Sequence, residues 1–453
     1  PGCGEARGPE VACSMGGMVH DRFVCIHAHF YQPPRENPWT GETEVQPTAA
    51  PFHDWNERIA AECYAPNGRA RILGADGSAD RFLNNYSRIS FNFGPTLLSW
   101  LERKDPQTYG LVLEADQEGA RRFGGHGPAL AQGYNHMILP LANPRDKQTQ
   151  ILWGIEDFRQ RFGRNPEGIW YPEAAVDLES LDLAAREGVR FTVLSPFQAA
   201  SPVETTRPYS VRLPSGRNLA VFFYDGGLSS AVAFEGLLKD GEKFLGKIRS
   251  ASLATGPGPR LVHLATDGET YGHHHKFGDM ALAYVLSELD RERGPRPTVY
   301  GEFLAFFQPT AEAKILENSS WSCAHGVERW RSDCGCRAGD LPEAGLGWRD
   351  PLRRSLDHLR DETNRVWESK ARHVFRDPWG ARDRYVRILL DSGMERDFLG
   401  NELRDGDAEP TEALRLMEIQ RHLMLMYTSC AWNFDDLGRN QTIQVLRYAA
   451  DAM

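Results

Sequence analysis

Arg260-Leu261-Val262-His263-Leu264 runs directly into Ala265-Thr266-Asp267-Gly268-Glu269-Thr270-Tyr271-Gly272-His273-His274-His275. The first five residues read as a buried strand, because a short apolar run bounded by turn residues fits a strand covered on both faces. Where it stops, two acids, glycines and histidines crowd a turn. α/β folds present their catalytic groups at such strand ends. A second segment has the same form: Gly168-Ile169-Trp170-Tyr171-Pro172-Glu173, an apolar strand ending in a carboxylate. Pro172 restricts Tyr171 to extended backbone, which supports a strand ending there. Two strand-end carboxylates are what a two-carboxylate hydrolase requires.

Working outward, short apolar runs recur at Phe23–Ile26, Ile89–Phe93, Phe191–Leu194 and Leu219–Phe223. Amphipathic stretches lie between them, such as Pro95–Leu101 and Leu178–Glu187, the latter followed by Gly188 where a C-terminal cap is expected. Alternating strands and helices predict a parallel sheet, and about seven units in roughly 300 residues favour a closed (β/α) barrel over an open sheet. We assign the barrel to residues 21–310. Beyond it the strand pattern stops. Leu352, Leu356, Leu359, Thr363 and Val366 recur every three or four residues, as do Leu416, Ile419, Leu423 and Met426. That period predicts an α-helical domain over 311–453, placed to close one wall of the active site. The last stretch, Gln441–Met453, is still helical and no Gly, Asn or Pro closes it. We expect a truncated chain, with Ile443, Val445, Leu446 and Tyr448 either docked or forming an exposed patch. Residues 1–20 are Gly-rich and without an apolar core segment, so they read as a disordered leader and not a secretory signal. A natural start would fall at Met15 or Met18.

Composition narrows the function. A net charge of −10 argues against nucleic acid as a partner, since phosphate binding needs a basic face. A neutral substrate fits better, and 11 Trp and 14 Tyr supply flat faces for sugar rings or for the core. No run reaches the roughly 18 apolar residues of a membrane span. Eight irregularly spaced cysteines in a long chain argue against a disulfide framework, so we expect a cytoplasmic protein.

Each candidate site residue has a plainer reading beside the functional one. Glu173 is a nucleophile, or a glutamate answering the dipole of the next helix. Asp267 is a general acid whose pKa its neighbours raise, or a helix cap. His27 and His29 share one face of the first strand and would hold sugar hydroxyls or a metal, or else lie in the core. His136 would join them. His273-His274-His275 is a partly solvated turn from which one member could reach the site. The segment from Trp321 to Cys336 places Cys323, His325, Cys334 and Cys336 within 14 residues. Those donors suffice for a Cys₃His zinc site, but the spacing is not the usual paired C-x-x-C, so buried or site-lining thiols are the other reading.

Taken together these segments resemble glycoside hydrolase family 57, the α-glucan-active, amylase-like enzymes, in a subgroup with a C-terminal helical domain. The first region of that family is matched by His27-Ala28-His29-Phe30-Tyr31-Gln32-Pro33-Pro34, the second by Gly125-His126-Gly127 continuing to His136. Trp170-Tyr171-Pro172-Glu173 matches the segment carrying the nucleophile, Asp267-Gly268-Glu269 the segment carrying the acid/base, and Trp321 through Trp330 the fifth region. Two departures stand out. Two residues separate His29 from Gln32 where the common form has none, and no acid follows His126 shortly after. The resemblance implies an irregular seven-stranded (β/α) barrel, retaining chemistry, no cofactor and no catalytic metal. It makes Glu173 and Asp267 the catalytic pair, and gives His27, His29, Gln32, His136, Trp170, Glu269, His273, Trp321 and Trp330 to substrate binding. Hydrolysis, branching and chain transfer share this pair. Two other classes remain to be weighed: a metal-dependent polysaccharide deacetylase or mannosidase on a related barrel, and a non-catalytic glucan-binding protein.

Overall fold

The strand Arg22–Phe30 is buried along all but its first residue, so it needs cover on both faces. It gets that cover inside a barrel. A computed structural model describes residues 21–453 apart from 75, 254–257, 292–293, 338–344 and 405–408, and the expected leader lies outside the described residues. The barrel strands are β1 (Arg22–Phe30), β2 (Ser90–Phe93), β3 (Ala131–Gln132), β4 (Gly168–Trp170), β5 (Phe191–Leu194), β6 (Asn218–Phe223) and β7 (Arg260–Asp267). β1 pairs in parallel with β7 on one side and β2 on the other. β2 meets β3 through a Phe91–Ala129 bridge and a Leu130 N–H to Phe91 O bond of 2.8 Å. β3, β4, β5 and β6 follow in parallel order.

The seam between β6 and β7 makes the barrel irregular. The free edge of β6 is taken by an antiparallel strand, Pro208–Arg212. Contact with β7 survives as a bond from Asp225 N–H to His263 O of 2.8 Å, just past the end of β6. Elsewhere the packing is close enough to dictate residue type. A Cβ at Gly168, the first residue of β4, would stand 2.3 Å from the Phe191 ring of β5.

Beyond the barrel, segment 312–319 still clings to it through bridges of Glu312 to Ser210, Ile315 to Ala199 and Ser319 to Val176. Ile315 packs in the barrel core, whereas Cys323 and Val327 pack in a second core. The change of core therefore falls after 319, later than the 310 expected. The second core is built by α2 (Arg349–Val374), α3 (Pro378–Arg384), α4 (Pro410–Leu425) and α5 (Asn440–Asp451), packed against α1 (Pro144–Phe162) of the barrel. Tyr134, Met137, Ile138, Trp153 and Ala175 of the barrel belong to that second core. In α5, Val445 and Tyr448 dock inward, while Ile443 and Leu446 stay exposed. Among the described residues no helix is long and apolar enough to cross a membrane.

Candidate active site

Register brings the chemistry together. Along β1 and β7, His29 stands opposite Asp267, the last residue of its strand. Across β1 and β2, His27 stands opposite Ser90 and His29 opposite Asn92. Glu173 follows β4 by three residues and sits in the short turn Pro172–Ala174. Both carboxylates thus lie at the C-terminal ends of parallel strands.

Glu173 adopts φ 56° and Ala174 φ 46°, left-handed backbone that residues with a Cβ rarely take. Such conformations persist only where the surroundings over-determine them. Here the Trp321 N–H donates to Glu173 O at 3.1 Å, and the Gln198 amide donates to Ala174 O at 2.7 Å. The Glu173 carboxylate then receives Ser322 Oγ at 2.6 Å and Trp321 Nε1 at 3.2 Å, both on Oε2, with Asn433 Nδ2 at 3.5 Å from Oε1. Its hydrogen-bond partners are all donors, as suits a group that only accepts. Glu173 is no helix-dipole residue, since nothing helical continues from its turn until Leu178.

Asp267 differs in every respect. It is exposed to the cleft, and it caps no helix. The protein crowded around it, and then the negative charges of Glu269 and Glu173, push its carboxyl well above the ordinary range. The same two groups reach a common neighbour, for the Cys430 thiol is pushed up to about 12 by burial first and then by Glu173 among others, with Asp267 adding to it. Glu269 is buried. It accepts from the Tyr31 N–H at 3.1 Å and from the Tyr64 hydroxyl, and the Gln32 amide adjoins it. Burial raises it to about 7 against those hydrogen bonds. Gly268 between the two acids is not in left-handed backbone as a tight turn would predict. A Cβ there would stand 2.2 Å from the Phe30 ring, so close approach is the reason for glycine.

The histidines form one buried, hydrogen-bonded network. Asn92 Oδ1 accepts from His27 Nε2 at 3.2 Å, and Asn92 Nδ2 donates to His29 Nδ1 at 2.9 Å and to Gln132 Oε1 at 2.6 Å. His29 Nε2 lies 3.1 Å from His136 Nε2, and His136 Nδ1 lies 2.6 Å from Ser429 Oγ. Burial lowers all three imidazoles, His27 and His29 to about 3, so each is neutral with one donor and one acceptor. The direction follows: Asn92 donates to His29, His29 to His136, and His136 to Ser429. Each ring nitrogen of the three is already engaged, His27 Nδ1 with Ser90 Oγ at 3.0 Å. His136 also takes left-handed backbone, φ 56°, held by the Ser429 N–H to His136 O bond of 3.1 Å.

Other expected site residues part company with the cleft. Trp170 is fully buried, stacked on His27 and His29 and met edge-on by Trp321, so it packs beneath the histidines and offers a sugar no open face. Trp330 is fully buried in the core of the helical domain. His273 turns outward, to Glu62 and the edge of Trp55. Trp321, half-buried, does stand at Glu173. Sequence reasoning missed Ser322, Tyr31, Asn92, Gln132, Ser429 and Asn433. Ser322 adjoins the Trp321 already singled out, and Tyr31 lies inside the first motif, so both were within reach. Asn433 carries no local signal at 260 positions from its partner.

Comparison with known proteins agrees with this architecture. The glycosyl hydrolase family 57 model matches residues 26–308, and a domain of unknown function, DUF3536, matches residues 346–453. The chain is 24% identical over 190 residues to alpha-amylase 1 of Dictyoglomus thermophilum, a match that spans 41% of this chain and 26% of that relative. In structure it resembles an exo-type maltose-forming amylase from Pyrococcus sp. ST04, with a TM-score of 0.75 at 16% identity, covering 95% of this chain and 78% of that one. A branching enzyme from Pyrococcus horikoshii gives 0.61 at 16% identity, covering 95% and 88%. A 4-alpha-glucanotransferase from Thermococcus litoralis gives 0.59 at 15%, covering 95% and 60%.

Proposed function

The chain belongs to glycosyl hydrolase family 57, and on that footing we propose that it is a retaining enzyme of α-glucans, hydrolase or transglycosylase, with Glu173 as nucleophile and Asp267 as acid/base. The observation that carries this reading is the contrast between the two carboxylates. Glu173 is fixed by donors and keeps Oε1 nearly free. Asp267 faces the same cleft and is held protonated more readily by its surroundings. In the first step Glu173 Oε1 bonds to the anomeric carbon, the glycosidic C–O bond breaks, and Asp267 gives its proton to the leaving oxygen. In the second, ionised Asp267 takes a proton from water or a sugar hydroxyl, whose oxygen displaces Glu173 from the anomeric carbon.

Two orphaned polar atoms support a polyhydroxylated occupant. Asn433 Oδ1 and Tyr31 Oη are buried and have no hydrogen-bond partner among the described residues. Tyr31 lies flat on His136, ring centroids 3.6 Å apart. Both ring nitrogens of His29 are committed to Asn92 and His136, which counts against a metal bound there.

The test is turnover on amylose, with products resolved by chain length and branch points. Glu173→Gln and Asp267→Asn should each lose on the order of 10⁴-fold or more while melting like the parent. Near-parental turnover in either folded variant would overturn the assignment. Shorter chains alone indicate hydrolysis, longer chains transfer, and new branch points branching.

A further inference from the structure

The loop that carries Trp321 and Ser322 to Glu173 continues into four soft donors. Cys323 Sγ lies 3.9 Å from Cys334 Sγ and 3.7 Å from Cys336 Sγ, and Cys336 Sγ lies 3.5 Å from His325 Nδ1. All four ligand atoms fall within 4.8 Å of one another. A tetrahedral zinc ion, with sulfur at about 2.3 Å and nitrogen at about 2.0–2.1 Å, sets its sulfur pairs roughly 3.8 Å apart and its sulfur–nitrogen pairs roughly 3.6 Å apart. The three edges of this cluster fit those values. They are far from the sulfur separation of a disulfide, about 2.05 Å, and all three cysteines are free.

The backbone around the cluster is shaped to the same end. Gly326 N–H donates to Cys323 O at 3.1 Å, closing a tight turn directly after the first cysteine, with Gly326 at φ 82°. A Cβ at Gly326 would stand 2.4 Å from Asn318 O, so no other residue fits. Gly335, also left-handed, lies between Cys334 and Cys336 and turns both thiols to one side. The wholly buried Arg349 donates to Cys336 O at 3.0 Å and ties the loop to the helical domain. The other convergent cluster, His53, Asp54 and Glu57, has an ordinary cause, because Asp54 caps the helix Trp55–Ile59 through the N–H groups of Asn56 and Glu57.

We propose that Cys323, His325, Cys334 and Cys336 form a closed structural zinc site, and that the ion fastens the segment holding Trp321 and Ser322 against Glu173. Four protein ligands leave no open position, so the ion takes no part in bond making. Binding would release thiol protons to solvent. The proposal rests on ligand geometry and stands whatever reaction the carboxylates perform.

The experiment uses the full chain, produced with zinc in the medium and passed through a desalting column before metal analysis. Wild type should carry about one zinc per chain, and Cys334→Ser and His325→Ala should lose most of it. Three cysteines of wild type should resist alkylation until a strong chelator is added. Cobalt exchanged into wild type should show the absorption of a tetrahedral thiolate centre. Zinc far below stoichiometric in folded wild type, iron in its place, a Cys323–Cys336 disulfide by mass spectrometry, or thiols alkylated as fast with zinc as without it would each overturn the proposal. Should the variants fail to fold, wild-type metal content and the cobalt spectrum decide alone.

Discussion

Glu269 shows how one side chain sets the working range of another. Its folded value of about 7 lies above its ordinary 4.5 because burial disfavours the charge. The native chain therefore keeps a proton that the unfolded chain has lost, so stability falls as pH rises from about 4.5 toward 7 and levels off above it. Above that range its charge also raises Asp267, which in the proposed mechanism acts first as an acid and must be protonated. Glu269→Gln should flatten the stability slope and move the alkaline limb of kcat/KM to lower pH. A limb that stays in place would mean that the surrounding protein and Glu173 hold Asp267 up without it. At this scale the sequence was most readable where the chemistry is local. Glu173 and Asp267 each sit in a short motif that places them at or just past a strand end, and Trp321 lies in a motif of its own past the barrel. Trp170 and Trp330, expected at the substrate, lie fully buried, for burial and platform duty use the same residue type and only packing separates them. Ser429 and Asn433 arrive from the helical domain, where nothing in their own neighbourhood marks them.

Among the elements, β7 owes its ending to Gly268. The Phe30 ring of β1 presses on the Cα where a side chain would be, and this fixes how far Asp267 and Glu269 project. Gly268→Ala forces overlap in a packed core, a class of change that costs typically 1–3 kcal/mol. It should therefore lower the melting temperature and, with Asp267 as the proposed acid/base, lower kcat by shifting that carboxyl, while glucan binding persists. A variant as stable and as active as the parent would show that Phe30 simply rotates aside. Strands β1, β2, β4, β5, β6 and β7 were visible as apolar runs between turn residues. β3 was not, because two residues, Ala131 and Gln132, leave no pattern to read. The antiparallel strand Pro208–Arg212 that opens the β6–β7 seam was missed too, for a seam is a property of pairing and a single run does not encode it.

In the molecule as a whole, barrel and helices are one packing unit. Trp153 of α1 lies fully buried in the helical domain's core, and its Nε1 donates to Arg382 O at 3.0 Å. Arg382 of α3 is itself buried, and its Nη1 pairs with Asp146 Oδ1 of α1 at 2.7 Å and Gln420 Oε1 of α4 at 2.9 Å. Its Nη2 donates to Thr149 Oγ1 at 2.8 Å. Removing one partner of such a buried pair leaves an uncompensated charge, at a cost of about 3–5 kcal/mol, whereas replacing both by apolar groups is far milder. Arg382→Ala should therefore destabilise strongly, and Arg382→Leu combined with Asp146→Leu should recover most of the loss. The shared core further requires that both regions melt together, so calorimetry should record one transition that moves as a unit in each variant. Two transitions, with only the helical one shifted by Arg382→Ala, would mean that the barrel holds its shape unaided. In that case Ser429 and Asn433 would reach the cleft from a wall able to detach, and loss of activity should precede loss of barrel structure on heating. The joint core predicts the opposite order of evidence: activity and both regions of structure lost at the same temperature.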